Sequence, residues 1–292
     1  MRHSKLFILA LLGLAATACN IKEDRLQCIV PVSIRVSGLT ASMDDDFPSK
    51  AAQDVADYAG VKAITLSFFG PDGDLQYTAT QFRDDGSTYE TFGNFTCTVP
   101  IGTYTMIVIG RGVEDNDEFS LTSPNLASYA GEPRETFCKT QEVTVTSSSP
   151  LNLDVTLERV VARLRILTTD NRSAGVAKIR ATFAAGGHTF NPATGFAVDY
   201  TGFTVTKPIE TAVGAPVEVF SYLFLANSTS ILTVTVEALD TSDNVLFSKV
   251  ITGVPFQCNK VTTLTGNIFT AGESSASFKL NTDWLNGTMM YF

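Results

Sequence analysis

Residues that commonly catalyse reactions are scarce in this sequence. Of its two histidines, only His188 lies beyond the first few residues, in a predicted turn between Gly187 and Thr189. General bases and activated Ser or Cys nucleophiles usually depend on an imidazole. No CxxC or HxxxH spacing occurs, which disfavours zinc sites of the Cys/His type. The sequence therefore predicts no catalytic residue, no metal site and no cofactor.

Acidic residues leave two other chemistries open. A glycosidase needs only two carboxylates at the right separation, which a sequence does not reveal. However, Trp284 is the only tryptophan, and sugar-binding clefts commonly present several aromatic platforms. Residues 44–46 and 114–118 offer oxygen ligands for calcium, but neither stretch has the ligand spacing of an EF-hand loop. Solvated loops are the favoured interpretation of both stretches.

Four cysteines remain once Cys19 is set aside: Cys28, Cys97, Cys138 and Cys258. In an exported chain they meet an oxidising compartment, where disulfides persist. Three of them lie in the first half of the chain, so at most one bridge is internal to that half. The remaining thiol is then free, pairs with Cys258 or joins another chain. Free buried thiols are the simplest alternative for all four.

The N-terminal sequence has the order of an export signal. Arg2 and Lys5 precede an apolar run from Leu6 to Ala18. A helix of this length spans only about 20 Å, less than a hydrocarbon core of about 30 Å, so a permanent transmembrane helix is disfavoured. The run ends in Ala16-Thr17-Ala18-Cys19, which resembles the bacterial lipobox, a cleavage motif in front of a cysteine that becomes diacylated. The sequence predicts a signal peptide over residues 1–18 and a lipid on Cys19. The alternative is ordinary cleavage that leaves Cys19 as a terminal thiol.

Residues 19–27 form the predicted tether between the lipid and the folded chain. Lys22, Glu23 and Asp24 resemble a surface-export signal of one group of Gram-negative lipoproteins. This resemblance implies display on the outer face of the outer membrane, whereas the other interpretation is a solvated linker. Several acyl chains, at about 0.8 kcal/mol per buried methylene, hold a protein on a bilayer where one chain binds only marginally. Membrane lipid is therefore one expected partner.

The predicted mature chain is acidic. Removal of residues 1–18 from the 292 leaves 274 residues with 19 Lys and Arg against 30 Asp and Glu, a formal net charge of −11. Nucleic acids and anionic headgroups attract basic patches, and no cluster of Lys or Arg appears downstream. The charge therefore argues against nucleic acid as a partner.

Strand patterns dominate the rest of the sequence. Val30, Val32, Ile34 and Val36 alternate with more polar residues, the period of a half-buried strand. Similar segments recur at intervals of roughly 10–20 residues without helices between them, which predicts an all-β fold of antiparallel sandwiches. Residues 49–60 are the one predicted helix, with favourable alanines and Gly60 at its end. Residues 111–135 are predicted to form a long surface excursion.

The length of the predicted mature chain favours two domains, because single hydrophobic cores usually divide near this size. We place the boundary near Glu158, where one predicted strand ends at Leu157 and the next begins after Arg159. The predicted domains are residues 28–158 and residues 159–292.

Several short segments resemble recurring elements of one protein family. Residues 68–73 and the sequence Pro100-Ile101-Gly102-Thr103-Tyr104 are similar to elements of transthyretin-like sandwiches. In the second, Pro100 presets a turn dihedral, Gly102 permits one that other residues resist, and Tyr104 anchors the next strand. Residues 157–164 (LERVVARL) and 259–269 (NKVTTLTGNIF) resemble recurring segments of that family, the fimbrillin-like lipoproteins, which are subunits and anchors of type V pili.

This resemblance implies two tandem transthyretin-like domains, a lipid anchor in the outer membrane, and assembly by β-strand exchange with other fimbrial subunits. It also implies that a trypsin-like protease releases the first strand after an arginine, with Arg25 and Arg35 as the candidates. A cut at Arg35 removes most of the first strand, whereas a cut at Arg25 removes little beyond the tether. An anchor subunit keeps both lipid and strand. Residues 278–280 and 289–292 are either last strands or a donor segment.

The sequence thus predicts a non-enzymatic structural or adhesive fimbrial subunit, or a fimbrial anchor lipoprotein. Strand exchange is physically sound in itself, because a sandwich that lacks a strand exposes unpaired backbone groups and an apolar groove. The alternative is a surface lipoprotein that binds glycans or other host or bacterial surface ligands without enzymatic activity. A glycosidase is a third and weaker hypothesis.

Overall fold

The computed structural model of the chain describes residues 29–40, 54–83, 92–114, 118–147, 149–270 and, as backbone alone, residues 277–281. Over these residues the fold is all-β, as predicted, with eighteen strands and one short 3-10 helical turn, Val55–Asp57. No helix in the described part of the chain is long and apolar enough to cross a membrane.

Nine strands belong to the N-terminal half, which we define as residues 29–159: β1 Ile29–Thr40, β2 Ala63–Phe69, β3 Leu75–Phe82, β4 Asn94–Pro100, β5 Gly102–Arg111, β6 Phe119–Ser123, β7 Leu126–Tyr129, β8 Thr136–Val145 and β9 Leu151–Arg159. Nine belong to the C-terminal half, residues 160–281: β10 Ala162–Asn171, β11 Lys178–Phe183, β12 Thr189–Phe190, β13 Phe203–Pro208, β14 Pro216–Leu223, β15 Thr229–Leu239, β16 Val245–Gln257, β17 Val261–Gly266 and β18 Ser277–Asn281.

The N-terminal half encloses one hydrophobic core. Seven of its strands form a hydrogen-bonded sheet in the order β3-β2-β5-β8-β9-β1-β4. β8 and β9 pair at only two positions, Phe137 with Arg159 and Cys138 with Glu158. The strands on both sides of this narrow join contribute to the same core, for example Leu66 from one side and Ile34 from the other. The sheet is therefore folded over at the β8–β9 join into two layers.

The C-terminal half packs two four-stranded sheets against each other. Their orders are β14-β10-β17-β18 and β13-β11-β15-β16. Successive side chains of a strand point to opposite faces, so alternate residues reach the space between the sheets. Leu164 and Ile166 of β10 are buried there in one cluster with Val234 and Val236 of β15.

Parallel pairing joins only two pairs of the named strands. β1 runs parallel to β9, and β10 runs parallel to β17. Every other pair of named strands for which a register is described is antiparallel. Each parallel pair joins the first strand of one half to a strand near the end of that half.

The predicted helix over residues 49–60 is wrong where the structure describes it. Only Val55–Asp57 is helical, and the side chain of Asp54 caps this turn by accepting a hydrogen bond from the backbone N–H of Ala56 at 2.8 Å. The guanidinium of Arg83 donates to the carbonyl oxygens of Val55 and Ala56, at 2.7 and 2.8 Å. Arg83 thus occupies carbonyl groups that would accept backbone hydrogen bonds in a longer helix. Residues 49–53 lie outside the described residues.

The predicted surface excursion over residues 111–135 contains a hairpin that the sequence pattern did not predict. β6 and β7 pair with each other, and β7 also pairs with β12 of the C-terminal half. The resulting small sheet has the order β12-β7-β6 and joins the two halves. The segment is therefore part of the junction between the halves and not a free loop.

Candidate functional site: the first strand and the junction

β1 lies inside its layer, with β9 on one side and β4 on the other. It pairs with β9 from Val32 to Thr40 and with β4 from Ile29 to Arg35. Its inward side chains, Val30, Val32, Ile34 and Val36, are buried in the N-terminal core. A chain without β1 would therefore present a groove with apolar walls and two rows of unpaired backbone groups.

Arg35 lies in the middle of β1, with an exposed side chain. Its backbone is opposite Asn94 of β4 and Asp154 of β9. The backbone around it is hydrogen-bonded in the sheet, so a protease that binds its substrate in extended form has no access until β1 leaves the sheet. Cleavage at Arg35 stays a prediction. Arg25, together with Cys19, Lys22, Glu23 and Asp24, lies outside the described residues.

The turn between β4 and β5 anchors the neighbouring strands. The hydroxyl of Tyr104 donates a hydrogen bond to the carbonyl oxygen of Pro100 at 2.8 Å, which confirms the predicted anchoring role of Tyr104. The role predicted for Gly102 is wrong, since its φ lies outside the left-handed region. A Cβ at Gly102 would lie 3.2 Å from the Tyr104 hydroxyl oxygen, so the glycine instead leaves room for that ring.

The junction between the halves brings together the two segments that resemble fimbrillin-like lipoproteins. LERVVARL and NKVTTLTG are far apart in sequence but adjacent in space, since β10 pairs with β17 from Arg163 opposite Val261 onward. The backbone N–H of Asn259 also donates to the carbonyl of Val161 at 2.8 Å. Asn259 adopts a φ of 63°, a left-handed conformation that asparagine tolerates better than most residues.

Arg159 is the polar centre of this junction. Its side chain is fully buried and forms an ion pair with Glu135 at 2.7 Å. It also donates to the side-chain oxygen of Asn259 at 3.0 Å, and its guanidinium lies 4.7 Å from the ring centre of Phe137. Because Glu135 belongs to the N-terminal half and Asn259 to the C-terminal half, one arginine links both.

Tyr58 completes the same network. Its hydroxyl donates to Glu135 at 2.6 Å and accepts from Arg159 at 3.4 Å. Burial and the nearby Glu135 carboxylate raise the pKa of Tyr58 well above its ordinary value, although Arg159 opposes the shift. The phenol therefore stays protonated and serves as a hydrogen-bond donor.

Aromatic rings form the apolar part of the junction. Phe190 of β12 stacks on Phe224 with ring centres 4.2 Å apart, and Tyr129 of β7 stacks on the same Phe224 at 6.2 Å. These rings share a buried cluster with Ile107 and Ile109 of β5. The outer face of the β5 layer is therefore covered by residues from the other half.

A second polar contact lies beside these rings. Lys207 of β13 forms an ion pair with Glu132, whose side chain is nearly buried and also contacts Arg134 at 3.1 Å. Burial raises the pKa of Glu132, while Lys207 and Arg134 lower it. Arg134 also pairs with Glu114 at 3.0 Å, which makes the described end of the predicted acidic loop part of an ion-pair network. Residues 44–46 and 115–117 lie outside the described residues.

Three of the cysteines are described, and all three are buried free thiols: Cys97, Cys138 and Cys258. No disulfide therefore joins these three, and Cys28 lies outside the described residues. Burial raises the pKa of Cys138 to about 12 and that of Cys258 to about 11, so both stay protonated near neutral pH. Buried thiols that stay protonated are poor nucleophiles.

The described residues hold no group of three or more His, Cys, Asp or Glu side chains placed to bind a metal ion. His188 lies edge-on to the ring of Phe203, 6.4 Å away, and its backbone carbonyl accepts a hydrogen bond from the N–H of Tyr129 at 3.0 Å. His188 therefore lies at the junction, where its backbone is hydrogen-bonded to β7. Trp284 lies outside the described residues.

Comparison with solved structures identifies the class of fold. The fimbrial anchor protein Mfa2 from Porphyromonas gingivalis has a TM-score of 0.51 at 11% identity, over 87% of this chain and 98% of that one. Two candidate adhesins from Bacteroides ovatus give TM-scores of 0.50 and 0.51 at 15% and 12% identity. They cover 77% and 85% of this chain, and 83% and 96% of their own chains. The chain thus has the fold of these proteins, which agrees with its resemblance to fimbrillin-like lipoproteins.

A family model gives the narrower assignment. It matches residues 77–287 and is described as a family of unknown function, DUF6562. The match covers well over half of the chain, from β3 through β18, and the chain belongs to this family. No curated protein matches the sequence.

Proposed function

We propose that this chain is a structural or adhesive component of a bacterial fimbria, either a subunit or an anchor, and that it has no enzymatic activity. The fold that it shares with a fimbrial anchor and candidate adhesins supports this proposal. Separate hydrophobic cores in the two halves support a division into two tandem transthyretin-like domains near Glu158. Host or bacterial surface ligands are the proposed partners of an adhesive form.

The position of β1 is the observation that carries the proposal. Burying one Val or Ile side chain contributes about 1.5–3 kcal/mol, and β1 buries Val30, Val32, Ile34 and Val36 while pairing along both edges. Because β1 buries this much surface and makes so many backbone hydrogen bonds, only a closely similar strand of another chain can replace it. This geometry supports assembly by strand exchange with other fimbrial subunits.

The same strand supports an anchoring role. Cys19 precedes Ile29 by ten residues, so a lipid on Cys19 connects through a short tether to a strand inside the sheet. We propose that acylated Cys19 holds the chain in the outer membrane and that residues 22–24 direct it to the cell surface. If neither Arg25 nor Arg35 is cut, the chain is an anchor that keeps its own strand.

Strand complementation is the direct test of the groove. We expect a chain that starts at Val36 to be much less stable than the mature chain and to regain stability when a peptide of residues 29–40 is added. A control peptide with Asp in place of Val32 and Ile34 should not restore it, because a charge does not enter an apolar core. Thermal melts measure both, and equal effects of the two peptides would contradict the proposal.

The role in the cell is tested on native material. Mass spectrometry of the mature N-terminus distinguishes acylated Cys19 from chains that start at Leu26 or Val36, and so separates an anchor from a processed subunit. Filaments sheared from cells should contain the protein. A protein that is absent from filaments and from their bases would overturn the fimbrial assignment.

A further inference from the structure

Among the strands that the structure describes, each half contains one parallel ladder, which joins the first strand of that half to a late one. β1 and β9 pair from Val32 opposite Leu151 to Thr40 opposite Glu158. β10 and β17 pair from Arg163 opposite Val261 to Thr168 opposite Gly266. The chain enters each ladder on one strand and leaves it on the other.

The direction of these strands decides how they respond to tension. In a parallel pair, the start of one strand and the end of its partner lie at opposite ends of the ladder. Pulling the start of β1 away from the end of β9 therefore acts along the strands. The inter-strand hydrogen bonds run across the strands, so they are all loaded together and must break together. A force across the strands instead breaks them one at a time.

The second ladder follows the first along the chain. β9 ends at Arg159 and β10 begins at Ala162, so only two residues separate these two strands. The end of β17 is fixed to β10, since the side chain of Asp170 accepts hydrogen bonds from the N–H groups of Ile268 and Phe269 at 2.9 and 2.7 Å. Tension between Ile29 and Phe269 thus crosses both ladders in series.

Side-chain contacts stabilise the connection between the two ladders. Arg159, the last residue of β9, is paired with Glu135 of the N-terminal half and hydrogen-bonded to Asn259 of the C-terminal half. The stacked rings of Phe190 and Phe224 lie in the same junction. Separation of the halves therefore requires exposure of a buried ion pair and of an aromatic cluster, both of which are costly.

We propose that the chain bears tension along a line from its N-terminal tether to the end of β17, and that the two parallel ladders are its force-bearing elements. This inference rests on the proposed anchoring role, which places the membrane at the N-terminal end of the chain, and it concerns tension applied through the C-terminal half. It adds a mechanical role that neither the fold nor the family assigns.

Single-molecule force spectroscopy on the mature chain tests this role by comparing two pulling directions. One handle is attached at the N-terminus. The second is attached either at exposed Thr270, just beyond β17, or at exposed Ile101. Ile29 lies opposite Pro100, so a handle at position 101 peels β1 away from the end of β4. We expect a rupture force several times higher for position 270 than for position 101, because forced unfolding is governed by the unfolding rate along the pulled direction. Equal forces would overturn the proposal.

A reversible crosslink tests the first ladder itself. Arg35 and Asp154 are opposite each other in β1 and β9, and both side chains are exposed. Neighbouring strands lie about 4.8 Å apart, within the Cα separation that a disulfide spans. In the double variant Arg35→Cys, Asp154→Cys, with Cys28 replaced by Ser, oxidation should remove one rupture event between the N-terminus and position 270, that of the first ladder, and shorten the released length. Reduction should restore both, and the single variant Arg35→Cys should behave like the parent chain. Identical traces in the oxidised and reduced states would overturn the role of the ladder.

These measurements use purified protein and do not depend on its location in the cell. Equal rupture forces in the two pulling directions, for a protein that is found in filaments, would overturn the mechanical proposal and leave the fimbrial one intact. A higher rupture force for position 270, for a protein that is absent from filaments, would support the mechanical proposal and overturn the fimbrial one.

Discussion

Arg159 shows how much a single residue contributes to this molecule. A buried ion is tolerated when it is paired and its hydrogen bonds are satisfied, and the removal of one partner leaves the other charge buried and uncompensated. Glu135, Asn259 and Tyr58 provide the surroundings of Arg159, and they come from three segments that are distant in sequence. The network is therefore complete only when both halves are folded and docked.

We expect the variant Arg159→Met to lower the free energy of unfolding by about 3–5 kcal/mol, because Glu135 is left buried without its cation. The double variant Arg159→Met, Glu135→Leu should regain a large part of this loss. Urea denaturation measures both values. The matched control is Arg180→Met, which breaks the more exposed pair of Arg180 with Glu237 and should cost about 1 kcal/mol or less. A double variant no more stable than the single one would contradict this account.

Buried thiols and phenols predict a loss of stability in alkaline solution. Burial raises the pKa of Cys138 from 9.0 to about 12, that of Cys258 from 9.0 to about 11, and that of Tyr222 from 10.0 to about 12. Above about pH 9 the unfolded chain therefore binds fewer protons than the folded chain, so the free energy of unfolding falls as the pH rises.

Urea melts at a series of pH values from neutral to alkaline measure this slope. The variant Cys138→Ala should show a shallower slope above about pH 9, since it removes one of the groups that must ionise. An unchanged slope in this variant would show that Cys138 ionises as readily in the folded chain as in the unfolded chain.

At the scale of the element, β1 is the strand whose integrity matters most for the proposed function. We expect Ile34→Ala to lower the free energy of unfolding by about 2–5 kcal/mol, because the side chain is buried in the N-terminal core and its removal leaves a cavity. Ile29→Ala in the same strand is the control, since Ile29 is 65% exposed and should change stability little. Chemical denaturation compares the two, and similar losses would show that β1 is not packed as described.

The strands were the most predictable elements. The alternation in residues 30–36 predicted β1, and similar segments farther along the chain predicted further strands, because burial on one face leaves a clear pattern. The helix prediction over residues 49–60 is wrong for the described residues 54–60. It relied on the helix propensity of alanine, which takes no account of the hydrogen bonds that Arg83 makes to this segment. The β6–β7 hairpin was missed because its strands are only five and four residues long and part of their packing comes from the other half.

The candidate site was only partly predictable. The motifs that contain Arg159 and Asn259 were recognised by resemblance, but their contact depends on the register of β10 against β17, which is a long-range property. A signal was present, since Arg159 is a charged residue at the start of an apolar run, and such a charge is unfavourable inside a core unless a partner meets it. The identity of that partner, Glu135, required the fold.

At the scale of the whole molecule, the junction couples the two halves. Phe190 is fully buried between β7 and Phe224, and it comes from a strand of only two residues. We expect Phe190→Ala to cost about 3–5 kcal/mol, mostly at the junction, and to split a single calorimetric unfolding peak into two. Phe82→Ala, at the partly exposed end of β3, should keep one peak. A single peak in the Phe190 variant would show that other contacts suffice to couple the halves.

Parallel pairing of β1 with β9 also has a consequence for biosynthesis. β1 is among the first strands made, yet its neighbour β9 starts at Leu151, opposite Val32, so more than a hundred residues must follow before that edge finds its partner. At about 5–20 residues per second, the wait is on the order of ten seconds. Until then the edge of this apolar strand that faces β9 stays unpaired, and other chains can pair with it. Efficient production of this protein should therefore depend on chaperones that shield its N-terminal segment until the first half is complete.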